Sequence, residues 1–390
     1  MKKLRLGIIG LGNMGTTHSH SILQNQSPRC ELAAVADLKP EHQKKFPQVD
    51  FFRDGMDLIQ SGKCDAVLIA TPHYSHTTLG IAALKAGLHV LVEKPISVHK
   101  ADCERLIKAH TNKKQVFAAM FNQRTDPYYI KLRNLIRSGE LGKLRRVQWT
   151  ITNWFRSHAY YDSGGWRATW GGEGGGTLLN QCPHNLDLWQ WMFGMPKRIR
   201  AFCTYGRYHK IEVEDDVTAY LEYADGMTGV WIASTGEAPG TNRLEVVGEN
   251  GRIVYENDQL RFLRNETPMG EFSRTTKEFW SVPETWDVLI PCKSHGGQHV
   301  EIINNFAAAI LDKGRLIAPA AEGIHSVELA NAMLLSSARA KTIELPMKSA
   351  VYEKWLKGMI ANSKIKKKEP RNAHAVDIGK SFGNRPYLNP

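Results

Sequence analysis

Leu4-Arg5-Leu6-Gly7-Ile8-Ile9-Gly10-Leu11-Gly12-Asn13-Met14-Gly15 is the stretch from which the fold can be read. An apolar, β-branched run stops at a glycine, a G-x-G-x-x-G pattern follows, and helix-compatible sequence continues from it, which is the context a dinucleotide turn requires. Each glycine has its own reason. Gly10 makes the tight turn, Gly12 lets the backbone approach a pyrophosphate, and Gly15 permits close packing of helix on strand. The helix expected after the motif offers unpaired N–H groups to the phosphates, with Asn13 and Met14 of the motif among the expected cofactor contacts. Asp37 ends the next apolar run, Glu31 to Ala36, about 20 residues on, where a carboxylate accepts from the adenosine ribose hydroxyls and repels a 2′-phosphate. NAD is therefore the expected cofactor. NADP stays open through Lys39 and through any loop that swings a cation inward.

Outward from this turn, short apolar runs alternate with helical stretches up to about residue 121: Ala66 to Ile69, His89 to Val92 and Gln115 to Phe121. Such alternation calls for a parallel sheet with helices on both faces. Beyond Pro127 the pattern changes to longer alternating segments joined by the turn dipeptides Asp225-Gly226 and Asn250-Gly251, so a mostly antiparallel sheet is expected there. Helical stretches at Val300 to Leu311 and Glu322 to Lys341 are expected to cover one face of that sheet, the other being left to pair with a second subunit. The domain plan is residues 1–124 for the dinucleotide, 125–350 for substrate and assembly, and 351–390 for a C-terminal helix and basic extended tail.

The 390 residues are 42% hydrophobic and 23% charged, enough for two buried cores. The start reads as a first strand without a cleavage-site pattern, and no apolar stretch reaches the roughly 20 residues of a membrane helix. The six cysteines, Cys30, Cys64, Cys103, Cys182, Cys203 and Cys292, form no C-x-x-C pair, which fits a reducing cytosol better than a disulfide scaffold or thiolate zinc site. Of the formal net charge of +12, the tail from Lys364 holds seven cations against two carboxylates. The rest is spread thinly, which argues against nucleic acid as partner. His18-x-His20 and His73 with His76 lack partners at ligand spacing, so no metal is expected, and no G-x-S-x-G elbow is present.

After His89 to Val92 stands Glu93-Lys94-Pro95. It joins Thr71-Pro72-His73-Tyr74-Ser75-His76, Asn122-Gln123-Arg124, Trp166-Arg167 and Gly174-Gly175-Gly176-Thr177-Leu178-Leu179-Asn180-Gln181-Cys182-Pro183-His184-Asn185-Leu186-Asp187. Five motifs in this order make the chain resemble the glucose-fructose oxidoreductase and inositol dehydrogenase (Gfo/Idh/MocA) family over nearly its whole length. The resemblance implies an α/β fold in which an N-terminal Rossmann parallel sheet is followed by a C-terminal α+β domain with a large, mostly antiparallel open sheet. It implies hydride transfer between nicotinamide and a hydroxyl or keto carbon of a sugar, inositol or glycoside, by a homodimer or homotetramer. Lys94 and His184 become the catalytic pair, with Asn180 beside them. Thr71, Pro72, His76, Glu93, Pro95, Asn122, Trp166 and Arg167 join the cofactor contacts. Arg124, Trp154, Arg156 and His299 join Lys94, Asn180 and His184 at the substrate.

The chemistry is consistent with those side chains. Oxidising a secondary alcohol needs a group to take the hydroxyl proton as hydride leaves, and imidazole, with a reference pKa of about 6.5, suits that task. A lysine orients the oxygen and steadies its developing charge. If residues 180–187 are helical, Asn180, His184 and Asp187 share one face. Position 180 resembles one that is an aspartate in many relatives, and an amide there can neither hold a proton nor stabilise imidazolium by charge. Trp154, Arg156, His158, Tyr160 and Tyr161 supply stacking and polar groups suited to carbohydrate or, equally, to a core; His295 and Gln298 lie near His299. Two other functions share this fold: an NAD-retaining glycoside hydrolase acting by transient oxidation and elimination, and a non-catalytic dinucleotide sensor.

Overall fold

The computed structural model describes residues 3–363 and 365; the expected basic tail lies outside the described residues. Two sheets organise the chain. The first has the order β3-β2-β1-β4-β5-β6, with β1 Leu4–Ile9, β2 Cys30–Ala36, β3 Asp50–Phe52, β4 Ala66–Ile69, β5 His89–Val92 and β6 Phe117–Ala119. Every pairing in it is parallel. Burial on both faces explains the unbroken apolar runs of β4 and β5, because helices cover each side. Helices α1 Asn13–Leu23, α2 Gly55–Gln60, α3 His73–Lys85 and α4 Lys100–Ala109 form the crossovers. Chain order reverses between β1 and β4, so a crevice opens at the carboxyl ends of these strands, where dinucleotides bind in such sheets. β3 has only three residues and carries no sequence signal of its own.

After α5 Pro127–Arg137 the second sheet begins. Its strands are β7 Leu144–Ile151, β8 Arg198–Tyr205, β9 Glu214–Glu222, β10 Thr228–Ser234, β11 Asn242–Gly248, β12 Gly251–Glu256, β13 Gln259–Asn265, β14 Thr285–Ile290 and β15 Ile343–Glu344. They lie in the order β14-β13-β12-β11-β7-β10-β9-β8-β15, antiparallel except where β10 pairs parallel with β7. Both turn dipeptides sit where expected, Asp225-Gly226 between β9 and β10 and Asn250-Gly251 at the start of β12. One face of this sheet packs under α6 His158–Asp162, α7 Pro183–Phe193, α10 Gly323–Arg339 and α11 Ser349–Ala361, around a core that includes Trp149, Trp189 and Trp231. α8 Met269–Thr275 lies between β13 and β14.

One expected placement is corrected. The helix expected at Val300 to Leu311 forms as α9 Gln298–Leu311, but it does not cover the antiparallel sheet. Ile302, Ile303, Phe306 and Ala307 enter the core of the parallel sheet instead, and Ala119 N–H donates to Ala318 O at 3.0 Å. The chain therefore returns to the first domain after building the second. The 3.6-residue period identified the apolar face of α9, but a periodicity does not say which sheet that face meets. Only α10, packed on β8, covers the second sheet as expected. A buried contact also ties the domains, with Lys100 Nζ donating to Glu328 Oε1 at 2.7 Å and to Met347 O at 2.8 Å. Among the described residues, no helix is long and apolar enough to cross a membrane.

Candidate active site

A cavity of about 830 Å³ runs along the carboxyl edge of the parallel sheet and ends against the second domain. Gly10, Gly12, Asn13, Met14 and Asp37 line one end, and Lys94, Trp166, Arg167 and Asn180 the other. The glycine turn is built as its sequence demands. Gly10 has φ +95°, and a Cβ on Gly15 would stand 1.7 Å from Gly10 O, so a side chain there would push α1 off β1. A Cβ on Gly12 would meet nothing within 4 Å; the open space and the N-terminus of α1 fit a pyrophosphate. Asp37 holds this turn, accepting from Leu11 N–H at 2.6 Å and Lys39 N–H at 2.8 Å. His76 bridges the neighbouring loops, its ring nitrogens 2.8 Å from Thr71 O and Pro95 O.

Lys94 leaves the end of β5 and crosses to the second domain, where its Nζ donates to Asn180 O at 3.0 Å. Burial lowers its pKa, Glu93 works against that, and Arg167 adds to it. Behind it Glu93 is buried and accepts from His18 Nε2 at 2.8 Å and from Lys94 N–H at 3.1 Å. Burial alone would raise the Glu93 carboxyl, but His18, His299 and Lys94 bring it down to about 2. His299 lies with its ring 5.6 Å from that of His18, and burial, reinforced by His18, lowers it to about 4. His18 thus serves as the partner of Glu93. Its sequence signal, a histidine one turn into the helix after the glycine motif, was visible only as a failed metal pair.

Asn180 lies in a π turn, Thr177–Gln181, that Cys182 separates from α7, which starts at Pro183. The expected single face of a continuous helix is therefore broken, and its three polar residues go to different places. Asn180 meets the cavity. His184 is 4% exposed, and its Nδ1 has no partner among the described residues. Burial and the nearby Lys94 charge keep its pKa well below the ordinary value. Asp187 instead binds Arg124, Oδ2 to Nε at 2.7 Å and Oδ1 to Nη2 at 2.6 Å.

This last contact corrects a substrate assignment. Arg124 is 2% exposed, and four of its five N–H donors go to Asp187, Glu322 Oε2 at 2.5 Å and Ile317 O at 3.2 Å, so it is a buried structural cation held by protein groups. Asn122 Nδ2 donates to Gln298 Oε1 at 2.6 Å, and His295 Nδ1 faces Asp126 Oδ2 at 2.9 Å. The remaining polar residues of the second domain do gather near the cleft. Arg167 Nη1 donates to Tyr160 Oη at 2.8 Å, and the guanidinium carbons of Arg156 and Arg167 lie 5.0 and 4.6 Å from the Tyr160 ring centre. Arg156 is also 5.3 Å from the Trp154 ring, while Tyr161 and His158 turn toward His209.

Residues 4–121 match an oxidoreductase family with an NAD-binding Rossmann fold, and residues 129–254 match the GFO/IDH/MocA C-terminal domain. The chain belongs to the GFO/IDH/MocA family. Among the relatives of this family member is myo-inositol 2-dehydrogenase of Thermotoga maritima, 27% identical over 265 residues, which are 65% of this chain and 75% of that enzyme. Levoglucosan dehydrogenase of Pseudarthrobacter phenanthrenivorans is 24% identical over 394 residues, covering 90% of this chain and 100% of that one. The WlbA dehydrogenase of Bordetella pertussis, solved with NADH and UDP-GlcNAcA, shares the fold with a TM-score of 0.75. It has 24% identity and covers 89% of this chain and 100% of its own. As a family member the chain is an NAD(P)-dependent oxidoreductase acting on a CH–OH group.

Proposed function

We propose that this oxidoreductase interconverts a secondary hydroxyl and a ketone on a sugar, inositol or glycoside, with Lys94 and His184 as the catalytic pair. The observation that carries the reading is the junction of the two domains: a lysine from β5 hydrogen-bonds the backbone at Asn180 one turn before a buried imidazole whose Nδ1 is unpartnered. NAD, when bound by the glycine turn, supplies the hydride acceptor. His184, neutral because burial disfavours its charged form, takes the hydroxyl proton. Lys94 donates to the substrate oxygen and stabilises the negative charge that develops there. Trp166 and Arg167 wall the cleft, and Asn180 offers its amide to a neighbouring hydroxyl. Asp37 favours NAD over NADP, since a carboxylate at the end of β2 repels a 2′-phosphate. The family relatives described above are dehydrogenases, and no feature of the cleft favours the hydrolase or the sensor.

Purified protein is expected to reduce NAD with at least one member of a panel of inositols, hexoses and 1,6-anhydrohexoses, followed by the absorbance of the reduced nicotinamide. Silence across the panel in both directions would falsify the assignment. A cytosolic location belongs to the same proposal, on the six free thiols.

We further propose that the open face of the second sheet pairs two copies of the chain. Strand register sets Arg200, Tyr220, Val230, Gln148, Glu245, Val254, Arg261 and Leu289 in one row across eight strands. A row that mixes apolar groups with both charge signs complements its own copy around a two-fold axis. Phe202 and Leu289 are 62% and 56% exposed on that face, where isolated water-facing strands favour neither. Sedimentation velocity is expected to show a dimer or tetramer, and a Phe202→Glu, Leu289→Glu double variant to shift it to monomer; an unchanged sedimentation coefficient in the variant refutes the interface.

A further inference from the structure

The glycine run that precedes the π turn contains one charged residue, Glu173, set between Gly172 and Gly174. It is 1% exposed. Its Oε1 accepts from Asn180 Nδ2, and its Oε2 accepts from Ala168 N–H at 2.6 Å, so one carboxylate joins the Trp166-Arg167 segment to the residue that faces the cleft. Arg167 Nη1 stands 4.0 Å away. Because a carboxylate only accepts, it settles which way the Asn180 amide points. The NH2 goes to Glu173, and Oδ1 faces Tyr160 Oη at 3.5 Å. Meanwhile the Asn180 backbone carbonyl holds Lys94 Nζ.

We propose that Glu173 is a positioning residue of this active site, locking the Asn180 side chain so that it presents an acceptor oxygen to a substrate hydroxyl beside the reacting carbon. The inference rests on the dehydrogenase reading above. The charge balance supports it independently of the hydrogen bonds. Five ionisable groups crowd this end of the cleft: Lys94, Arg156 and Arg167 as cations, Glu93 and Glu173 as carboxylates. Glu93 is committed to His18 and to the Lys94 backbone. Glu173 is therefore the second carboxylate that favours the Lys94 ammonium against burial and the opposing charges of Arg167 and Arg156, a role an apolar residue could not fill. Position 180 needs no carboxylate of its own when position 173 supplies one through its amide.

The test compares Glu173→Gln, Asn180→Asp and the double variant on myo-inositol, glucose and levoglucosan, using the full chain. Glutamine keeps the shape and one acceptor for Ala168 N–H, but it removes the charge and frees the Asn180 amide to rotate. E173Q is expected to lose about ten- to a hundredfold in kcat while its affinity for NADH changes by less than about twofold. In N180D two carboxylates touch, one must keep a proton, and the acid limb of the pH-rate profile is expected to move up by about one unit or more. Combining them returns a single carboxylate to the cluster, and E173Q/N180D is expected to regain about tenfold over E173Q. A structural role alone predicts no such rescue. Activity of E173Q equal to the parent, or a double variant no better than E173Q, overturns the proposal. If E173Q does not fold, an N180D profile superimposed on the parent's overturns it as well. A parent inactive on every sugar refutes the dehydrogenase reading itself, and this inference falls with it.

Discussion

Replacing Lys94 with methionine is expected to lower kcat about a thousandfold while NADH still binds, because what is lost is a charge aimed at an oxygen that becomes negative only as the reaction proceeds. Methionine keeps the length of the stem and leaves the glycine turn untouched, so steady-state kcat and the fluorescence-detected affinity for NADH separate the two effects. A parallel loss in both would place Lys94 among the cofactor contacts only. The pH profile provides a second reading. Burial lowers the Lys94 pKa, so the alkaline limb of kcat/KM is expected below the 10.5 of a free lysine. His184 is held well below 6.5 by burial first and by Lys94 second, so the acid limb is expected below 6.5. K94M removes that second cause, and the acid limb is expected to rise toward 6.5 in the variant. His184→Ala is expected to abolish the acid limb along with most of the rate.

The same depressed imidazole fixes a sign for stability. The unfolded chain binds the His184 proton near pH 6.5 and the folded chain binds it only at lower pH. Acid therefore favours unfolding, and this contribution declines as pH drops below about 6.5.

Arg124→Met is expected to cost about 3–5 kcal/mol of stability, the range for breaking one side of a buried ion pair. Burial opposes the charge on Arg124, but Asp187 and Glu322 outweigh it and raise its pKa, so the guanidinium stays charged. On the other side burial pushes the Asp187 carboxyl up and Arg124 pulls it down; without the arginine the carboxyl is left buried with Gln190 Nε2 at 3.1 Å. The double change Arg124→Met, Asp187→Leu is expected to be less destabilised than the single one, since neither charge then remains unpaired. Urea unfolding followed by tryptophan fluorescence checks this, with Trp191 5.5 Å from the Arg124 guanidinium as a local reporter. If the two variants unfold alike, the pair is not the clasp between the domain crossing, α7 and the 317–322 segment that its contacts describe.

Much of this molecule was legible in one dimension because local rules act over short distances. The parallel sheet followed from apolar runs spaced by helices, the hairpins from Asp225-Gly226 and Asn250-Gly251, and the glycine turn from three positions at which a Cβ is either impossible or in the way. Lys94 and His184, the catalytic pair proposed above, were both picked out by motif. What could not be read was any property that depends on which residue lies across a cleft. Arg124 looked like a substrate contact and is a buried structural cation. His18 was considered only to set aside a metal, and it is the partner of Glu93. Glu173 drew no notice because a single carboxylate in a glycine run has no meaning until the chain folds it against Asn180.

The amino-acid sequence by itself determined the two sheets, the turn that admits a dinucleotide and the motifs that carry Lys94 and His184, the pair proposed to handle proton and charge, since backbone sterics and the period of burial are written locally. Tertiary structure alone decided that α9 returns to the first domain, that the helix carrying His184 is preceded by a π turn, and that charges distant in sequence pair as they do. Hydrogen bonds and ion pairs depend on separations of about 3 Å between atoms, and the order of residues along a chain does not contain those separations until the core has packed.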